Sequence, residues 1–584
     1  MATSSPGEDF IDFGGHPQEG TSADTDRQRS TSANNIFMNR KIFQDPIHGP
    51  IEIHPVCIRI IDTPQFQRLR HIKQLDTCYL VYPGASHNRF EHSLGVCYLA
   101  GKLLKTIREQ QPDEPITDRD ILCLEIAGLC HDLGQGPFSH VFEKRFMPKL
   151  GKPFKHEEMA RKMLEFMLED ENEKLKGDIQ TIIRNCNIPG FEQFEERDFT
   201  FIKEMIDVPK DIERGPWPYH GRDEDKSFMY EIVANKRNGV DVDKWDYLAR
   251  DSYMLGIKIN FDYNRCFATA RVLKVNGING SDETERAHGG NESSGTNQTR
   301  APPQSSESDE STIQARQEIV ARKQICYREK EAQGLYDMFY TRMTLHRQAY
   351  QHKTHSVIGM MICEALMAAN ESIRFEGKKI SDTVDDMKAY TQLTDDIILL
   401  ILYPSIGNVA FQTERFGNAQ ENSSSRSRLD DARKILNDIM NRRLYKFVSQ
   451  TQVEKGKLKV DDFKEEFMQF VRREGEPVEE SFIEYDIVDL DYGMEGKDPM
   501  EKVRFYRKDE INTPIKLKKY QVSYVLPATF AEHLVRIYCK VTGPDQDTRI
   551  NKIEKAFNEW CNMKGLPPPK GSRRRQLEEQ RGTR

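Results

Sequence analysis

The chain has 584 residues, of which 37% are hydrophobic and 30% charged, with a mean hydropathy of −0.71. That is too much apolar content for a disordered chain, and the longest purely apolar run, Ile397 to Tyr403, is far short of the ~20 residues that span a bilayer. Lys and Arg number 85 against 93 Asp and Glu, a net charge of −8, which disfavours a chain whose main business is coating nucleic acid. The 11 cysteines are scattered with no Cys-x-x-Cys pair, so neither a disulfide framework nor a thiolate zinc site is expected, and a reducing compartment is. No charged-then-apolar leader opens the sequence, so secretion is not expected.

Met1 to about Ile36 is rich in Ser, Thr, Gly, Asp and Gln and reads as a disordered tail, residues 1–36. Residues 37–475 then carry a mainly helical pattern. Glu91 to Arg108 reads as a helix, and so does Ile121 to Asp132, opened by a capping-box pattern at Thr117-Asp118-Arg119-Asp120 and closed by Gly134. Lys155 to Leu168 and Val242 to Leu255 follow. Phe267 to Val275 and Glu318 to Arg328 look like strands, and the Gly-, Ser- and Pro-rich stretch between them, residues 276–314, reads as a long disordered insertion. Helical patterning resumes at Gly334 to Lys353 and at Asp395 to Tyr403, before a shorter loose stretch, Gly417 to Ser427. Beyond Val478 the pattern changes: Ser481 to Asp489 and Val503 to Arg507 look like strands, followed by an expected helix from Pro527 to Val541. Residues 476–565 thus read as a small mixed lobe, and residues 566–584, with Arg573-Arg574-Arg575, as a disordered basic tail. The fold class expected is mostly α: a helical core with a smaller mixed α+β C-terminal lobe.

Three positions carry metal-ligand chemistry: His92 in Arg89-Phe90-Glu91-His92, the pair His131-Asp132, and Asp243 in Asp241-Val242-Asp243-Lys244. On a helical wheel Ile121, Leu124, Gly128 and His131 share one face, which puts His131 at a helix end directed to the core. An imidazole beside a carboxylate suits a hard-to-borderline cation. An isolated His-Asp pair more often marks a hydrogen-bonded core histidine, but here the other candidate ligands also arrive on helices, in polar company. Asp243, Tyr247 and Asp251 recur every four residues opposite Trp245 and Leu248, and Arg342, His346 and Tyr350 do the same, with Lys353 roughly in line. Such stripes are usually solvated faces. These lie among Met338, Phe339 and Leu345, and their cations suit the oxygens of a polyphosphate. The turn Gly134-Gln135-Gly136-Pro137-Phe138-Ser139-His140 bends His140 back toward the cluster, and His156 stands beside Glu157; both histidines are candidates for general acid or base work.

Taken together, His87-Asn88-Arg89-Phe90-Glu91-His92-Ser93-Leu94-Gly95, Ala127-Gly128-Leu129-Cys130-His131-Asp132-Leu133-Gly134, the run Asn235 to Tyr247, and Leu345 to Lys353 resemble the HD-domain deoxynucleoside triphosphate triphosphohydrolases. The likeness is to the branch that adds a sterile-alpha-motif domain, covers about Lys41 to Cys561, and leaves only the tail up to Ile36 in that domain's place. It implies a helical HD fold holding one divalent metal through His92, His131, Asp132 and Asp243, with zinc the first expectation and iron, manganese or magnesium the others. It further implies release of intact triphosphate from a deoxynucleoside triphosphate (dNTP) by water attack at the α-phosphorus. Arg89, Lys244, Tyr247 and Arg342 match phosphate-holding residues; Gln74, Leu75, Asp251 and Tyr350 match a sugar pocket closed to a 2′-hydroxyl. His346 and Gln351 extend the expected substrate contacts, and His140 and His156 match histidines beside the scissile phosphate.

The resemblance also implies activation by GTP or dGTP and by dNTPs, bound as magnesium complexes between the subunits of a homotetramer. Lys41, Ile42, Asp62, Gln67 and Arg70 match one side of the guanine site, Arg442 and Lys446 the side lent by a neighbour, and Gln44 is a further regulatory candidate. Val81, Asp262, Arg265, Arg328, Lys330, His352, Lys353 and Lys519 match the second regulatory site. Control of dNTP pools, antiviral and innate-immune roles, DNA replication and repair, single-stranded nucleic-acid binding and a nuclear rather than cytoplasmic location follow from the family alone. The chain also departs from the pattern. Gln135 stands where the family has a histidine, Glu143 where it has an aspartate, and Gln44 and Gly334 where it has asparagines. An amide is no general acid near neutral pH, and loss of a proton donor costs roughly 10²–10⁴-fold. The alternatives are therefore an HD phosphodiesterase or nuclease, or a weakened nucleotide- and nucleic-acid-binding pseudoenzyme.

Overall fold

The structure is a computed structural model that describes residues 41–169, 173–186, 191–208, 216–275, 321–403, 423–458, 460–473, 478–540 and 545–571. The expected tail 1–36, insertion 276–314 and the basic cluster at 573–575 lie outside the described residues, as does 417–422 of the second loose stretch. The rest of that stretch, from Ser423, already begins a helix running to Met440.

A hairpin opens the chain: β1 (Lys41–Asp45) pairs antiparallel with β2 (Gly49–Ile53). Helix α1 (Arg89–Gln110) starts where Asn88 and Glu91 form a reciprocal cap, the Asn88 N–H donating to Glu91 Oε1 at 2.7 Å. Helix α2 (Asp118–Cys130) starts at the expected Thr117–Asp120 box. Every α2 residue from Asp120 to Cys130 is buried, so this is the central helix of the core. Gly128 permits its packing, since a Cβ there would lie 3.1–3.2 Å from the α1 backbone at Val96 and Cys97. Helix α3 (His156–Glu169) and α4 (Val242–Leu255) complete the frame of the site. Asp241 caps α4 by accepting the Lys244 N–H at 3.0 Å, and Gly256, at φ 68°, stops it in a left-handed turn.

Helix α5 (Tyr263–Thr269), capped by Asp262, takes Phe267 to Thr269 from the start of the stretch expected as a strand, and β3 (Arg271–Val275) is extended. It pairs antiparallel with β4 (Arg322–Arg328). The helix expected over Gly334–Lys353 is α6 (Ala332–Leu345) followed by a π-helical turn, His346–Tyr350, and a restart as α7 (Lys353–Ala369) under a His352 cap. That restart takes Lys353 out of line with Arg342 and Tyr350 and over the Phe447 ring, at 4.7 Å.

The C-terminal region is built on a four-stranded sheet in which β5 (Lys446–Glu454) and β6 (Ile483–Asp491) flank β8 (Ala531–Cys539), and β9 (Lys570–Gly571) extends the β5 edge. Helices α9 (Val460–Val471) and α10 (Gln546–Met563) cover it through Phe463, Phe467, Phe557 and Trp560, α8 being Ser423–Met440. The short β7 (Phe505–Tyr506) pairs parallel with β4 and stitches this region to the core. The helix expected over Pro527–Val541 is therefore wrong. His533 to Cys539 are all buried and β8 is paired on both edges, so the apolar run is a central strand, which hydrophobic periodicity alone does not separate from a buried helix. Among the described residues no helix is long and apolar enough to cross a membrane.

Candidate metal centre and active site

The first turns of α1 and α4 and the C-terminal end of α2 meet, and each delivers the residue types a metal needs. His92 Nε2 lies 3.1 Å from Asp243 Oδ1, 3.3 Å from His131 Nε2 and 3.7 Å from Asp132 Oδ2. His131 Nε2 lies 3.6 Å from both Asp132 Oδ2 and Asp243 Oδ1. Tetrahedral ligands about 2.0–2.1 Å from one ion sit roughly 3.3 Å apart, a spacing that His92, His131 and Asp132 approach and that Asp243 keeps to the two histidines. Two imidazoles and two carboxylates suit zinc, iron or manganese. Both rings are turned for the task. His92 Nδ1 is 2.7 Å from Asp246 Oδ2 and His131 Nδ1 is 2.7 Å from the Gly128 carbonyl, so each Nδ1 donates there and each Nε2 faces the cluster.

The electrostatics favour a cation. Burial opposes ionisation of Asp132, yet Arg89, His131, His92 and His156 hold its carboxyl well below the usual range. Asp243 is lowered likewise by its bonds to His131 and His92 in spite of burial. Burial alone would lower His92, but the Asp243 and Asp246 hydrogen bonds with the Asp246 and Asp132 charges raise it to about 10.

Asp246, which the sequence reading missed, anchors this arrangement. It is fully buried and takes His92 on Oδ2, His48 Nε2 on Oδ1 at 2.6 Å, and both Nε and Nη2 of Arg250 at 2.8 Å. Arg250 Nη1 in turn donates to Asp45 at the end of β1 at 2.9 Å, and His48 Nδ1 lies 2.8 Å from the Tyr263 hydroxyl on α5. A signal was present for Asp246 alone, which is one turn past Asp243 on the same helix.

The loop after α2 is fixed on all sides. Tyr390 donates to Gly134 O at 2.8 Å, Arg68 to Leu133 O and Gln135 O at 3.3 and 2.7 Å, and Asp395 accepts the Phe138 and Lys73 N–H groups at 2.6 and 2.8 Å. Its glycines serve close approach: a Cβ on Gly134 would lie 2.0 Å from His156 O. Phe138 and Ser139 make the bend, at φ 53° and 40°. Gln135 Nε2 donates to Asp132 Oδ1 at 3.1 Å, so the amide holds a metal-site carboxylate. Arg89 Nη1 donates to the other oxygen of Asp132 at 2.8 Å and its Nε to Ser139 Oγ at 3.2 Å. Glu143 keeps its histidine in reach: His156 Nδ1 is 3.0 Å from Glu143 Oε2 and 3.5 Å from Glu157. Burial lowers His156, but the Glu143 bond and the Glu157, Glu143 and Asp132 charges raise it overall, while Glu143 is lowered in exchange despite its own burial.

The other expected substrate residues form two groups. Tyr350 donates from its hydroxyl to Asp251 Oδ2, whose Oδ1 lies 2.7 Å from His87 Nε2; Leu75 packs with Ala349 and Tyr350, and His346 stacks edge-on against Tyr350 at 4.8 Å. Gln74 donates its N–H to His87 O at 3.0 Å, and buried Gln74 Oε1 and His87 Nδ1 have no partner, which leaves polar atoms for a ligand. Gln351 accepts Arg536 Nη1 on its carbonyl at 2.6 Å. The cations are each held by a carboxylate: Lys244 by Asp241 at 3.1 Å and Arg342 by Asp491 at 3.1 Å. Tyr247, raised by burial and then by Asp243, Asp241 and Asp251 against Arg342, stays a phenol.

Of the expected regulatory residues, Lys41 lies 3.5 Å from Asp62, Gln67 accepts Arg70 Nε at 2.8 Å, and Ile42 is 64% exposed beside exposed Gln44. Arg442 donates to the carbonyl of Leu80, next to Val81, and Lys446 begins β5. Asp262 caps α5, Arg265 and Lys330 lie 2.8 and 3.8 Å from Glu331, and Arg328 ends β4. His352 stands edge-on to Tyr82 at 6.0 Å, near Lys353, and Lys519 covers the Phe530 ring at 5.2 Å.

Residues 89–251 match the HD domain family model, a span that includes all four converging ligands. The deoxynucleoside triphosphate triphosphohydrolase SAMHD1 of Mus musculus is 42% identical over 544 residues, 91% of this chain and 72% of its own length. The protein of that name in Homo sapiens is 42% identical over 549 residues, 91% and 74% of the two chains. The chain belongs to the SAMHD1 family. Membership extends beyond vertebrate sequences: the SAMHD1 homolog of Dictyostelium discoideum is 32% identical over 532 residues, 90% of this chain and 82% of its own. The resemblance read from the His92, His131-Asp132 and Asp243 motifs is thus a family relationship across most of both SAMHD1-type chains.

Proposed function

We propose that the chain hydrolyses dNTPs to deoxynucleoside and triphosphate at the α1–α2–α4 junction. The observation that carries this is the cluster of His92, His131 and Asp132, with Asp243 3.1 and 3.6 Å from the two imidazoles, in a fold that also bonds Tyr350 to Asp251 and packs Leu75 against Tyr350. A divalent ion bound by those four side chains would polarise a phosphoryl oxygen and acidify the attacking water. Arg89, Lys244 and Arg342, now paired with Asp132, Asp241 and Asp491, would exchange those carboxylates for phosphate oxygens. Tyr350 and Asp251 would orient the deoxyribose, with Gln74 Oε1 available to it, and Leu75 would leave no space for a 2′-hydroxyl. His140 and His156 would move protons at the leaving and attacking oxygens.

The reading extends to activation by GTP or dGTP and dNTPs, bound with magnesium between subunits of a homotetramer, at Lys41, Ile42, Gln44, Asp62, Gln67, Arg70, Arg442 and Lys446 and at the second set around Asp262, Arg265 and His352. The exposed Lys41 and Ile42 and the cations of the second set support it. A nuclear role in dNTP control, genome maintenance and antiviral defence completes the proposal, on family grounds. The test is direct. Purified protein with dATP, GTP and Mn²⁺ or Zn²⁺ releases triphosphate and deoxyadenosine; monophosphate from a polymer or cyclic nucleotide, or binding without product, refutes it.

A further inference from the structure

Asp76 sits in the loop between the β1–β2 hairpin and α1 with its backbone at φ 51°, a region that favours glycine. Six non-glycine residues among those described have positive φ, and three of them, Asp76, Phe138 and Ser139, meet around His140. Unusual backbone of this kind gathers where a side chain must be held at a defined place. The Asp76 carboxylate is what the position gains by not being glycine. It is 5% exposed, accepts the His140 N–H on Oδ1 at 3.1 Å and lies 3.3 Å from His140 Nδ1 through Oδ2. The His140 ring is itself 53% exposed, so its other nitrogen is open to a ligand.

We propose that Asp76 is a positioning residue for His140: it fixes the Nδ1–H tautomer, aims Nε2 at the 5′ oxygen of a bound dNTP, and stabilises the imidazolium that donates there. This rests on the dNTP-hydrolysis reading. It also answers the departure at Gln135, because a lone histidine left to do the protonation gains the orienting carboxylate that such histidines use. The step balances simply. A water oxygen bonds to the α-phosphorus, the P–O5′ electron pair stays on the 5′ oxygen, and His140 Nε2 supplies the proton that makes it a hydroxyl. The proton lost by the water passes by way of His156 to solvent, from which the His140 imidazole is recharged. Other charges face this pair. Glu143 lies on one side, His346 and Arg89 on others, and His355, tied to Tyr350 O at 2.7 Å, flanks Asp76. Burial opposes the Asp76 charge, but His140 and then His355 and Arg89 keep its carboxyl below the ordinary value.

The experiment compares D76G, D76N, H140A and the D76G/H140A double variant. Glycine suits φ 51° better than aspartate, so D76G melts at or above the wild-type temperature and keeps its metal content. Its kcat is expected to fall by about 10²-fold with little change in KM. D76N, an acceptor on one atom only, falls with it, and D76G adds nothing in the H140A background. An active wild type whose D76G variant keeps its rate overturns the role of Asp76 and leaves the hydrolase reading intact. If the wild type itself releases no triphosphate, the hydrolase reading fails, and the His140 tautomer from ¹⁵N shifts still decides: an unchanged Nδ1–H form in D76G overturns the proposal.

Discussion

Asp246 offers the sharpest test of how the metal site is held. Replacing it with asparagine keeps the size and one acceptor oxygen but removes the charge and sets an NH₂ group among donors. Four hydrogen bonds are affected: one from His92, one with His48 and two from Arg250, all in a site with no exposed atoms. His92 loses the partner that fixes its tautomer, and an outer partner of this kind is worth about 10–100-fold in metal affinity, or roughly 1.4–2.7 kcal/mol. Arg250 keeps only Asp45, and breaking a buried pair costs about 3–5 kcal/mol of stability, so the variant also melts earlier. The assay is metal content after dialysis against graded chelator, read beside circular dichroism to confirm a folded chain. Triphosphate release with saturating metal serves as the second reading. The expected pattern is weaker retention of metal with partial rescue of turnover at high metal. A folded D246N protein that binds metal within twofold of wild type would show that Asp246 does not orient His92.

Other outcomes follow from the same geometry. His131→Ala removes one ligand and should abolish metal retention and activity together, measured by elemental analysis; unchanged stoichiometry contradicts the ligand assignment. Gln135→His should raise turnover by restoring a proton donor, whereas Gln135→Ala should lower metal affinity, because the amide now holds Asp132 Oδ1 at 3.1 Å; equal chelator profiles for wild type and Gln135→Ala exclude that support. Burial raises the Asp395 carboxyl to about 7, against the Lys73 and Phe138 N–H bonds and with help from Asp76 and Asp396. Its folded value exceeds an unfolded value of ~3.9, so its contribution is fully present below about pH 4 and is lost as pH rises through 7. The melting temperature of wild type relative to Asp395→Asn should therefore fall between pH 5 and pH 8; a constant difference refutes this.

The meeting of His92, His131, Asp132 and Asp243 was legible because the signal for them is local: rare residue types, each at or next to a helix end. The bounds of α4 were legible for the same reason, since Asp241 and Gly256 lie at its two ends. The supporting residues were not. Asp246 meets His48 and His92 at separations of 198 and 154 residues, and Asp395 meets Phe138 at 257. Asp246 shows only its place one turn past Asp243, and nothing within reach of Asp395 in the sequence distinguishes it from a solvated aspartate. The misread strand Ala531–Cys539 failed likewise, because its register partners lie in β5 and β6 and only that pairing decides between two apolar readings.

Gln135 shows where local chemistry misleads. Read alone it is a lost proton donor, and the pseudoenzyme alternative rested on it. In the fold its amide is one of two donors that hold Asp132, with Arg89 on the other oxygen, so the substitution exchanges one task for another within the same site. Proton delivery then has to come from a neighbour that the loop itself supplies. The same chain bends at Phe138 and Ser139 to bring His140 onto Asp76, a residue 64 positions away whose own backbone is bent to receive it. A departure from family pattern at one position is thus intelligible only with the contacts made at another.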